Sequence, residues 1–257
     1  MELNLSGKTV LITGGSKGIG YETARRFGKE GCRVAICARN RRELLEAEEQ
    51  LKKEGIEVFS KSLDVSKKEE LEQFAKETVG RWGYIHVWIN NAGIASHRAM
   101  MDTRDEEWER VLAVNLSAVY YGCKIAASYM KKDGGIILNA GSFQTFFPAA
   151  GSGPYGATKA AVASLTRTFA AELACYKIRV ITYIPGVIET PMGNLDNWIA
   201  DTGQIKNIPM RRTGVPADIA NTLVFLASDA ASYINGVSIE ITGGKFCVQN
   251  PMYSWEK

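Results

Sequence analysis

Short apolar runs alternate with longer segments of helical periodicity along this chain, and that alternation restricts the folds it can adopt. The runs predict strands at residues 10–12, 33–37, 58–62, 85–90, 135–140, 179–184 and 237–242. They are too uniformly apolar to have one face in water, so they predict a parallel sheet buried between two helical layers. No linker or internal repeat divides the 257 residues. We therefore predict a single α/β domain over residues 1–257, a doubly wound parallel sheet with helices on both faces.

Two capping-box pairs predict where helices begin within this pattern. Ser66 with Glu69 predicts the start of a helix that ends near residue 79. Thr103 with Glu106 predicts the start of a long helix that runs to about residue 130. Further helices are predicted to end near residue 174 and to span about residues 216–228.

A glycine-rich loop, TGGSKGIG at residues 13–20, lies between the first strand and the first helix. Glycine lets the backbone turn tightly and approach a diphosphate, which the free N–H groups of a helix N-terminus attract. The spacing of Gly14, Gly18 and Gly20 differs from the GxGxxG fingerprint, so a plain glycine-rich turn stays open as an alternative. Because no GxxxxGKS/T occurs, an ATP-type phosphate loop is disfavoured. The loop and its flanking elements predict a Rossmann-type dinucleotide site.

The end of the second strand indicates which dinucleotide binds. An acidic residue there would accept hydrogen bonds from the ribose 2′-hydroxyl of NAD, but the sequence reads Cys37-Ala38-Arg39-Asn40. The planar fork of Arg39 suits a phosphate, and Lys17 in the glycine loop adds a second positive charge. We predict NADP(H) as the cofactor. The alternative is that Arg39 merely begins a charged helix.

Composition excludes several other classes of function. The formal net charge of +3 is too small to indicate a nucleic-acid partner. The five cysteines are scattered without a CxxC pair and only two histidines occur, so we predict neither a disulfide framework nor a metal site. The N-terminus has no apolar signal region, and no run approaches the roughly 18 apolar residues of a membrane span. These observations predict a cytoplasmic protein without a membrane partner.

The stretch GPYGATKAAV, residues 153–162, carries a phenol and an ammonium group on one face of a helix. Tyr155 and Lys159 are four residues apart, about one helical turn, in a run of otherwise small side chains. A free tyrosine has a pKa of about 10, and lowering it by about three units needs roughly 4 kcal/mol of preferential stabilisation of the phenolate. A unit charge at ~4 Å in an effective dielectric of about 20 supplies that much. The pair therefore predicts proton exchange with a substrate near neutral pH.

The sequence resembles the short-chain dehydrogenase/reductase family over nearly its whole length. The ordered motifs that carry the resemblance are TGGSKGIG, Asp64-Val65, NNAG at residues 90–93, Asn115, Ser142, Tyr155 with Lys159, Pro185-Gly186 and Thr190-Pro191. The resemblance implies that Tyr155 is the general acid in carbonyl reduction and the base in the reverse direction. It implies that Lys159 binds the nicotinamide ribose and depresses the Tyr155 pKa, that Ser142 binds the substrate oxygen, and that Asn115 holds a water in a proton relay.

The resemblance also implies a cofactor site and an assembly. Asp64 and Val65 would contact adenine, Asn91 and Gly93 would line the cleft, and Ile188 and Thr190 would contact the nicotinamide amide. The complete predicted cofactor set is Gly14, Ser16, Lys17, Gly18, Ile19, Gly20, Arg39, Asp64, Val65, Asn91, Ala92, Gly93, Tyr155, Lys159, Pro185, Gly186, Ile188 and Thr190. A homotetramer is implied, with the two long helices packing between subunits.

The substrate pocket is predicted to have apolar walls. Phe143, Phe146 and Phe147 closely follow Ser142, and the segment around residues 190–212 resembles the mobile lid of the family. The candidate substrate residues are Ser142, Phe143, Gln144, Phe147, Met192 and Trp198. We therefore predict a hydrophobic ketone or alcohol as substrate. The alternative is that these aromatic residues pack beneath the lid without touching substrate.

The most similar subgroup is the 3-oxoacyl thioester reductases, which IPMRRTGVPADIA and SYINGVSIEITGG resemble. Two departures weaken that assignment: Ala171 stands where those enzymes carry an arginine of a carrier-protein docking patch, and the chain continues through a tail at residues 245–257. We expect this tail to reach a neighbouring subunit and help close its pocket. The predicted function is an NADPH-dependent ketone/alcohol oxidoreductase, with a 3-oxoacyl thioester reductase and a non-catalytic NADP(H)-binding regulator as alternatives.

Overall fold

The apolar runs form one parallel sheet in the computed structural model, which describes residues 3–191, 204–251 and 253–255. The sheet has seven strands in the order β3-β2-β1-β4-β5-β6-β7, and every neighbouring pair is parallel. The strands are β1 (Thr9–Thr13), β2 (Arg33–Ala38), β3 (Val58–Ser62), β4 (Val87–Asn90), β5 (Gly135–Ala140), β6 (Ile178–Pro185) and β7 (Ser238–Ile241). The strand order reverses between β1 and β4, so the carboxyl ends of these two strands border a crevice of the kind that binds ligands.

Helices cover both faces of the sheet, as predicted. They are α1 (Gly18–Lys29), α2 (Arg41–Lys53), α3 (Lys68–Trp82), α4 (Asp105–Leu112), α5 (Ala118–Met130), α6 (Gly153–Leu173) and α7 (Pro216–Ala227). Alternate residues of β1 enter two separate cores. Val10 packs in a cluster with Phe27 of α1 and Leu223 of α7, whereas Leu11 packs in a cluster with Phe74 of α3 and Val162 of α6. This alternation on a strand buried on both sides confirms the predicted doubly wound architecture.

Both predicted capping boxes are wrong, although the helices begin close to the expected positions. The residue that precedes α3 is Lys67, and the Ser66 hydroxyl donates to Asp64 Oδ1 at 2.7 Å instead of capping the helix. The residue that precedes α4 is Arg104, and the Thr103 hydroxyl donates to the Ala99 carbonyl at 3.0 Å. In both cases a nearby oxygen competes with the helix N-terminus for the hydroxyl.

The predicted long helix ending near residue 130 is continuous but not uniform. A π-helical segment, Ala113–Ser117, joins α4 to α5. By length and composition alone, the stretch Asp105–Met130 passes as a membrane span, contrary to our expectation that nothing approaches one. However, 56% of its most apolar window is buried inside the molecule, as in the core helix of a globular domain. Packing of its buried residues in the core accounts for part of its apolar character.

Candidate active site

The glycine loop closes tightly between β1 and α1. The N–H groups of Gly14 and Gly15 both donate to the Cys37 carbonyl, at 2.8 and 3.0 Å. Gly14 has φ +70°, and a Cβ at Gly20 would lie only 2.1 Å from the Gly14 oxygen. Lys17 precedes α1 without a side-chain cap in the described structure, so the first-turn N–H groups are oriented for an anion. The cradle that these glycines leave fits the diphosphate of a dinucleotide.

Asn91, just beyond the end of β4, stabilises this loop through hydrogen bonds. Its Nδ2 donates to the carbonyls of Thr13 and Gly14, both at 3.1 Å, and its Oδ1 accepts from the Tyr183 hydroxyl at 3.0 Å. The Thr13 hydroxyl also accepts from the N–H groups of Asn91 and Ala92, at 3.0 and 3.1 Å. We predicted Asn91 as a cleft residue, and the structure places it at the cleft with its side chain bonded to protein. Thr13 begins the glycine-rich motif but was not among the predicted site residues, and Tyr183 was missed because no motif marks it.

The two predicted phosphate-binding charges differ in their surroundings. Lys17 Nζ pairs with Glu43 Oε2 at 3.1 Å, so this ammonium already has a carboxylate neighbour. Arg39 is exposed just after β2, and the described residues include no carboxylate paired with it. The helix begins only at Arg41, since Asn40 Oδ1 accepts from the N–H groups at the start of α2. This placement disagrees with the alternative in which Arg39 begins the helix.

Asp64 and Val65 follow β3, where the adenine contact was predicted. Asp64 Oδ2 accepts from Arg110 Nη2 at 2.8 Å, and Oδ1 accepts from the backbone N–H and the hydroxyl of Ser66. Burial opposes the charged form, but these Ser66 and Arg110 contacts outweigh it and lower the pKa of the Asp64 carboxyl. Val65 is buried. The adenine contact itself stays a prediction.

The segment after β6 closes the other side of the crevice. A Cβ at Gly186 would lie 2.7 Å from the Thr242 Cα, so this turn requires glycine for space. Ile188 forms an isolated parallel bridge with Gly214. A Cβ at Gly18 would lie 3.3 Å from the Thr190 Cγ2, which puts Thr190 against the glycine loop. The predicted cofactor residues Pro185, Gly186, Ile188 and Thr190 therefore lie along the segment that leads to this loop, while Ser16 and Ile19 lie on the loop and in the first turn of α1.

The predicted catalytic residues converge beyond the end of β5. Tyr155 and Lys159 lie on the first two turns of α6, with Lys159 Nζ 5.5 Å from the centre of the Tyr155 ring. Lys159 is buried and donates to the Ala140 carbonyl, the last residue of β5, at 2.8 Å. Ser142 is also buried; it precedes a short 3-10 turn, Phe143–Thr145, and its hydroxyl accepts from the Gln144 N–H at 3.2 Å.

Burial governs the proton equilibria of this group. It raises the pKa of the Tyr155 phenol, and the hydrogen-bonding contact of the Ser142 side chain offsets only part of that rise. Burial also lowers the pKa of Lys159 to about 8. The Ser142 side chain is the described group whose contact lowers the Tyr155 pKa, and the lowering that we expected from Lys159 stays a prediction. At neutral pH Tyr155 carries its proton, which is the form that a general acid requires.

Asn115 lies on the π-helical segment and is fully buried. Its Oδ1 accepts from the Ile94 N–H and its Nδ2 donates to the Ile94 carbonyl, both at 2.9 Å. A Cβ at Gly93 would lie 3.4 Å from Asn115 Oδ1 and 3.7 Å from Lys159 Nζ, so Gly93 lies beside both of these side chains. The sequence did not indicate the π-helical turn, a feature that recurs at functional sites. The predicted water relay stays a prediction.

Aromatic residues and one buried amide lie beside Ser142. The Phe147 and Phe143 rings lie 4.9 and 5.7 Å from the ring of Phe246, which belongs to the C-terminal tail. Gln144 Oε1 is buried without a hydrogen-bond partner in the described structure, and a Cβ at Gly156 would lie 3.4 Å from it. The predicted substrate residues Met192 and Trp198 lie outside the described residues. The described tail contacts its own chain, and its expected contact with a neighbouring subunit stays a prediction.

Comparisons with known proteins agree with this arrangement. The profile of a family described as enoyl-(acyl carrier protein) reductase matches residues 14–245. The chain is 36% identical over 242 residues to 3-oxoacyl-(acyl-carrier-protein) reductase FabG of Staphylococcus epidermidis, covering 93% of this chain and 99% of the relative. It is also 36% identical over 247 residues to 3beta-hydroxysteroid dehydrogenase 1 of Eggerthella lenta, covering 94% of each.

A solved structure supports the same conclusion at the level of the whole fold. The crystal structure of a short-chain type dehydrogenase/reductase from Mycobacterium marinum superposes with a TM-score of 0.91 at 32% identity, covering 96% of this chain and 98% of that one. The sheet order, the glycine loop and the grouping of Ser142, Tyr155 and Lys159 accord with that likeness. This chain belongs to the short-chain dehydrogenase/reductase family of oxidoreductases.

Proposed function

We propose that this protein is an NADPH-dependent oxidoreductase that interconverts a hydrophobic ketone and its secondary alcohol. The observation that carries the proposal is the grouping of the half-buried Tyr155 phenol, the buried Ser142 hydroxyl and the Lys159 ammonium group beyond the end of β5. A phenol that keeps its proton at neutral pH, with a hydroxyl beside it, suits the protonation of a carbonyl oxygen. Family membership supports chemistry at CH–OH and C=O groups.

Ser142, Tyr155 and Lys159 each have a separate role in the proposed reaction. The bound cofactor supplies the hydride in reduction and accepts it in oxidation. Ser142 holds the substrate oxygen, and Tyr155 donates its proton to that oxygen in reduction and takes it back in oxidation. Lys159 places a positive charge beside the phenol as negative charge develops there. The glycine loop and the segment from Pro185 to Thr190 hold the dinucleotide across the crevice.

An absorbance assay at the nicotinamide band tests this proposal. NADPH and NADH are each offered with an acetoacetyl thioester, a diketone, an aryl ketone, a ketosteroid and a ketose. We expect Tyr155→Phe to reduce kcat about 10²- to 10⁴-fold, the usual contribution of a general acid, while the Kd for NADPH changes little. Tyr176→Phe, at an exposed tyrosine beyond the end of α6, is the matched control. A Tyr155→Phe enzyme that keeps the parent rate would exclude the proposed chemistry.

Arg39 is the basis for choosing NADPH over NADH. It is exposed and unpaired among the described residues, no acid follows β2 at the ribose position, and the Lys17 charge is already shared with Glu43. We expect Arg39→Ala to raise the Kd for NADPH about 10- to 100-fold, since a hydrogen bond to a charged group contributes about 1.5–3 kcal/mol. The Kd for NADH should change by less than about threefold. Arg41→Ala, on the first turn of α2, is the control, and an equal loss for both cofactors would contradict the assignment.

A 3-oxoacyl thioester reductase is the second candidate, and the similarity to FabG favours it. Ala171 and the tail argue against it, because the first lacks a charge for a carrier protein and the second adds aromatic residues near the site. Turnover confined to the acetoacetyl thioester in the same panel would establish this second candidate. Tight NADPH binding without turnover of any carbonyl would instead indicate a regulator.

We also propose that the protein is a cytoplasmic homotetramer. A groove of about 460 Å³ between α5 and α6 is lined mainly by apolar and aromatic side chains, including Leu116, Tyr120, Ala161 and Leu165. Tyr120 is exposed in the single chain. An apolar groove on two neighbouring helices suits association with the same face of a second copy.

A further inference from the structure

The C-terminal tail folds back over the mouth of its own active site. Trp255 Nε1 donates to the Pro209 carbonyl at 3.1 Å, and the Arg211 guanidinium lies 5.5 Å from the centre of the Trp255 ring. Closer to the sheet, Phe246 stacks on Phe147 at 4.9 Å with an angle of 28° between the rings. Phe246, which lies beyond the last strand, therefore packs against the loop that follows Ser142.

The backbone at Phe246 supports a specific role for this ring. Its φ is +64°, in the left-handed region that large side chains rarely occupy. Such a conformation persists only where surrounding contacts hold it, and it recurs at ligand sites. Here the contacts are the Phe147 stack and the buried Lys245, whose Nζ lies 4.9 and 5.8 Å from the ring centres of Phe246 and Phe143. This backbone conformation directs the Phe246 ring toward Phe143 and Phe147.

These rings adjoin the reacting group and are only partly covered. Phe143 follows Ser142 directly along the chain, and the Ser142 side chain is close enough to the Tyr155 phenol to lower its pKa. Phe147 and Phe246 are 46% and 41% exposed. Apolar rings that face solvent beside a polar catalytic group are typical of a pocket that binds an apolar ligand by its body and orients it by a few polar contacts.

We propose that Phe246 determines substrate specificity by forming, with Phe143 and Phe147, an aromatic wall against the apolar body of the carbonyl substrate. The wall selects ketones that carry a bulky apolar group, such as an aryl or fused-ring substituent, over small ketones. This inference rests on the proposed function and names the substrate class of the same site. Phe246 is a specificity residue and takes no part in proton transfer.

Steady-state kinetics with two ketones test the wall. We expect Phe246→Ala to raise KM for a ketosteroid about tenfold or more, because the variant loses apolar contact with the substrate body. KM for a small diketone should change by less than about twofold, and its kcat should stay near the parent value. Phe146→Ala is the matched control: Phe146 is also 41% exposed and lies on the same loop, but its ring has no described contact with Phe246.

A second variant separates a lost contact from a damaged fold. Phe246→Gly also removes the ring, but glycine adopts positive φ without strain, so this variant should melt no lower than Phe246→Ala. Both variants should show the same rise in KM for the ketosteroid, with little change in KM for the diketone.

The possible failures are distinguishable. In one outcome the parent enzyme reduces the ketosteroid while Phe246→Ala changes both KM values no more than Phe146→Ala does. In that case the aromatic wall does not determine specificity, and the proposed function stands. If the parent enzyme reduces only the small ketone, the wall is also wrong. If it reduces no carbonyl in the panel, the proposed function fails and the wall fails with it.

Discussion

Lys159 is a charged side chain that the fold buries almost completely, and its local contacts do not fully compensate for that burial. Its ammonium group donates to the Ala140 carbonyl, yet desolvation lowers its pKa to about 8 from 10.5. That fall corresponds to about 3 kcal/mol of destabilisation of the charged form. A buried charged group that destabilises the fold is typical of an active site, where function and stability compete.

Replacing Lys159 should therefore stabilise the fold while it abolishes turnover. Below pH 8 both the folded and the unfolded chain bind the lysine proton, so the cost of burial is fully present there. Between about pH 8 and 10.5 the folded state loses the proton first, and the cost disappears as the pH rises. We expect Lys159→Met to be more stable than the parent by about 1–3 kcal/mol at pH 7, and by much less at pH 10. Urea denaturation at the two pH values measures the difference.

Two features make this experiment decisive. The raised pKa of Tyr155 is present in both proteins and largely cancels from the comparison. Lys124→Met, at an exposed lysine of α5, controls for the loss of a positive charge and should show no such pH dependence. A Lys159→Met protein that is less stable than the parent at pH 7 would show that the Ala140 contact outweighs desolvation.

At the scale of single residues, the sequence identified the chemical groups better than their environment. Tyr155 and Lys159 are predictable because four-residue spacing on a helix dictates a shared face. The direction of the Tyr155 pKa was not predictable, because burial depends on the segments that cover α6 and leaves no trace in local spacing. Asn91 illustrates the same limit, since its partners Thr13 and Tyr183 come from strands far away in sequence.

Among the elements, the π-helical segment Ala113–Ser117 has the clearest link to the site. It presents Asn115 to Ile94, the residue that follows Gly93, and two hydrogen bonds join them. Asn115 Nδ2 also lies 3.4 Å from the Thr158 hydroxyl, next to Lys159 on α6. The segment thus links the loop after β4 to the helix that carries the catalytic pair.

Removing the Asn115 amide should loosen this link. We expect Asn115→Leu, which keeps the volume but not the hydrogen bonds, to lower the free energy of unfolding by about 1–3 kcal/mol, because the N–H and C=O of Ile94 lose their partners. The kcat should fall as well, since the loop beside Lys159 loses its support. Urea denaturation and the nicotinamide assay measure the two effects. Ser117→Ala, on the same segment, should stay within about 0.5 kcal/mol of the parent, and equal stabilities of the two variants would contradict the proposed link.

Element positions were predicted well wherever burial on two sides dictates the sequence. The strand predicted at 135–140 matches β5, because strands buried between helices must be apolar throughout. The strand predicted at 58–62 also matches β3, although this edge strand is only partly buried and carries Ser60, Lys61 and Ser62. Helix starts were weaker, as Ser66 and Thr103 show, because their hydroxyls have several acceptors within reach. The π-helical turn and the fold-back of Phe246 depend on tertiary contacts that have no short-range pattern.

For the whole molecule, the sheet order explains why scattered motifs form one site. In a parallel sheet every carboxyl end points the same way, so the segments after β1, β2, β4, β5 and β6 all emerge on one edge. The glycine loop, Arg39, Asn91, Ser142 and Pro185 each lie at or just beyond such an end. The opposite ends need only connect helices to strands. The site of this chain therefore depends on strand direction as much as on residue identity.

The same view of the whole molecule predicts how copies of the chain associate. The α5–α6 groove lies away from the crevice, and its lining of Leu116, Tyr120, Ala161 and Leu165 would be wetted in a monomer. A carboxylate placed there would have to lose its hydration when a second copy packs against it, which is costly without a partner. We therefore expect Leu165→Glu to reduce the molar mass in solution below that of the parent protein. Size-exclusion chromatography with light scattering measures this directly.

A matched substitution makes the assembly prediction specific. Leu45, on α2, is also a partly exposed leucine of a surface helix, with 50% of its surface accessible, and it lies on the opposite layer of the fold. Leu45→Glu adds the same charge and should leave the molar mass at that of the parent protein, because this surface is not part of the groove. A parent protein that elutes as a monomer, or a Leu165→Glu protein that keeps the parent mass, would show that the groove does not join subunits.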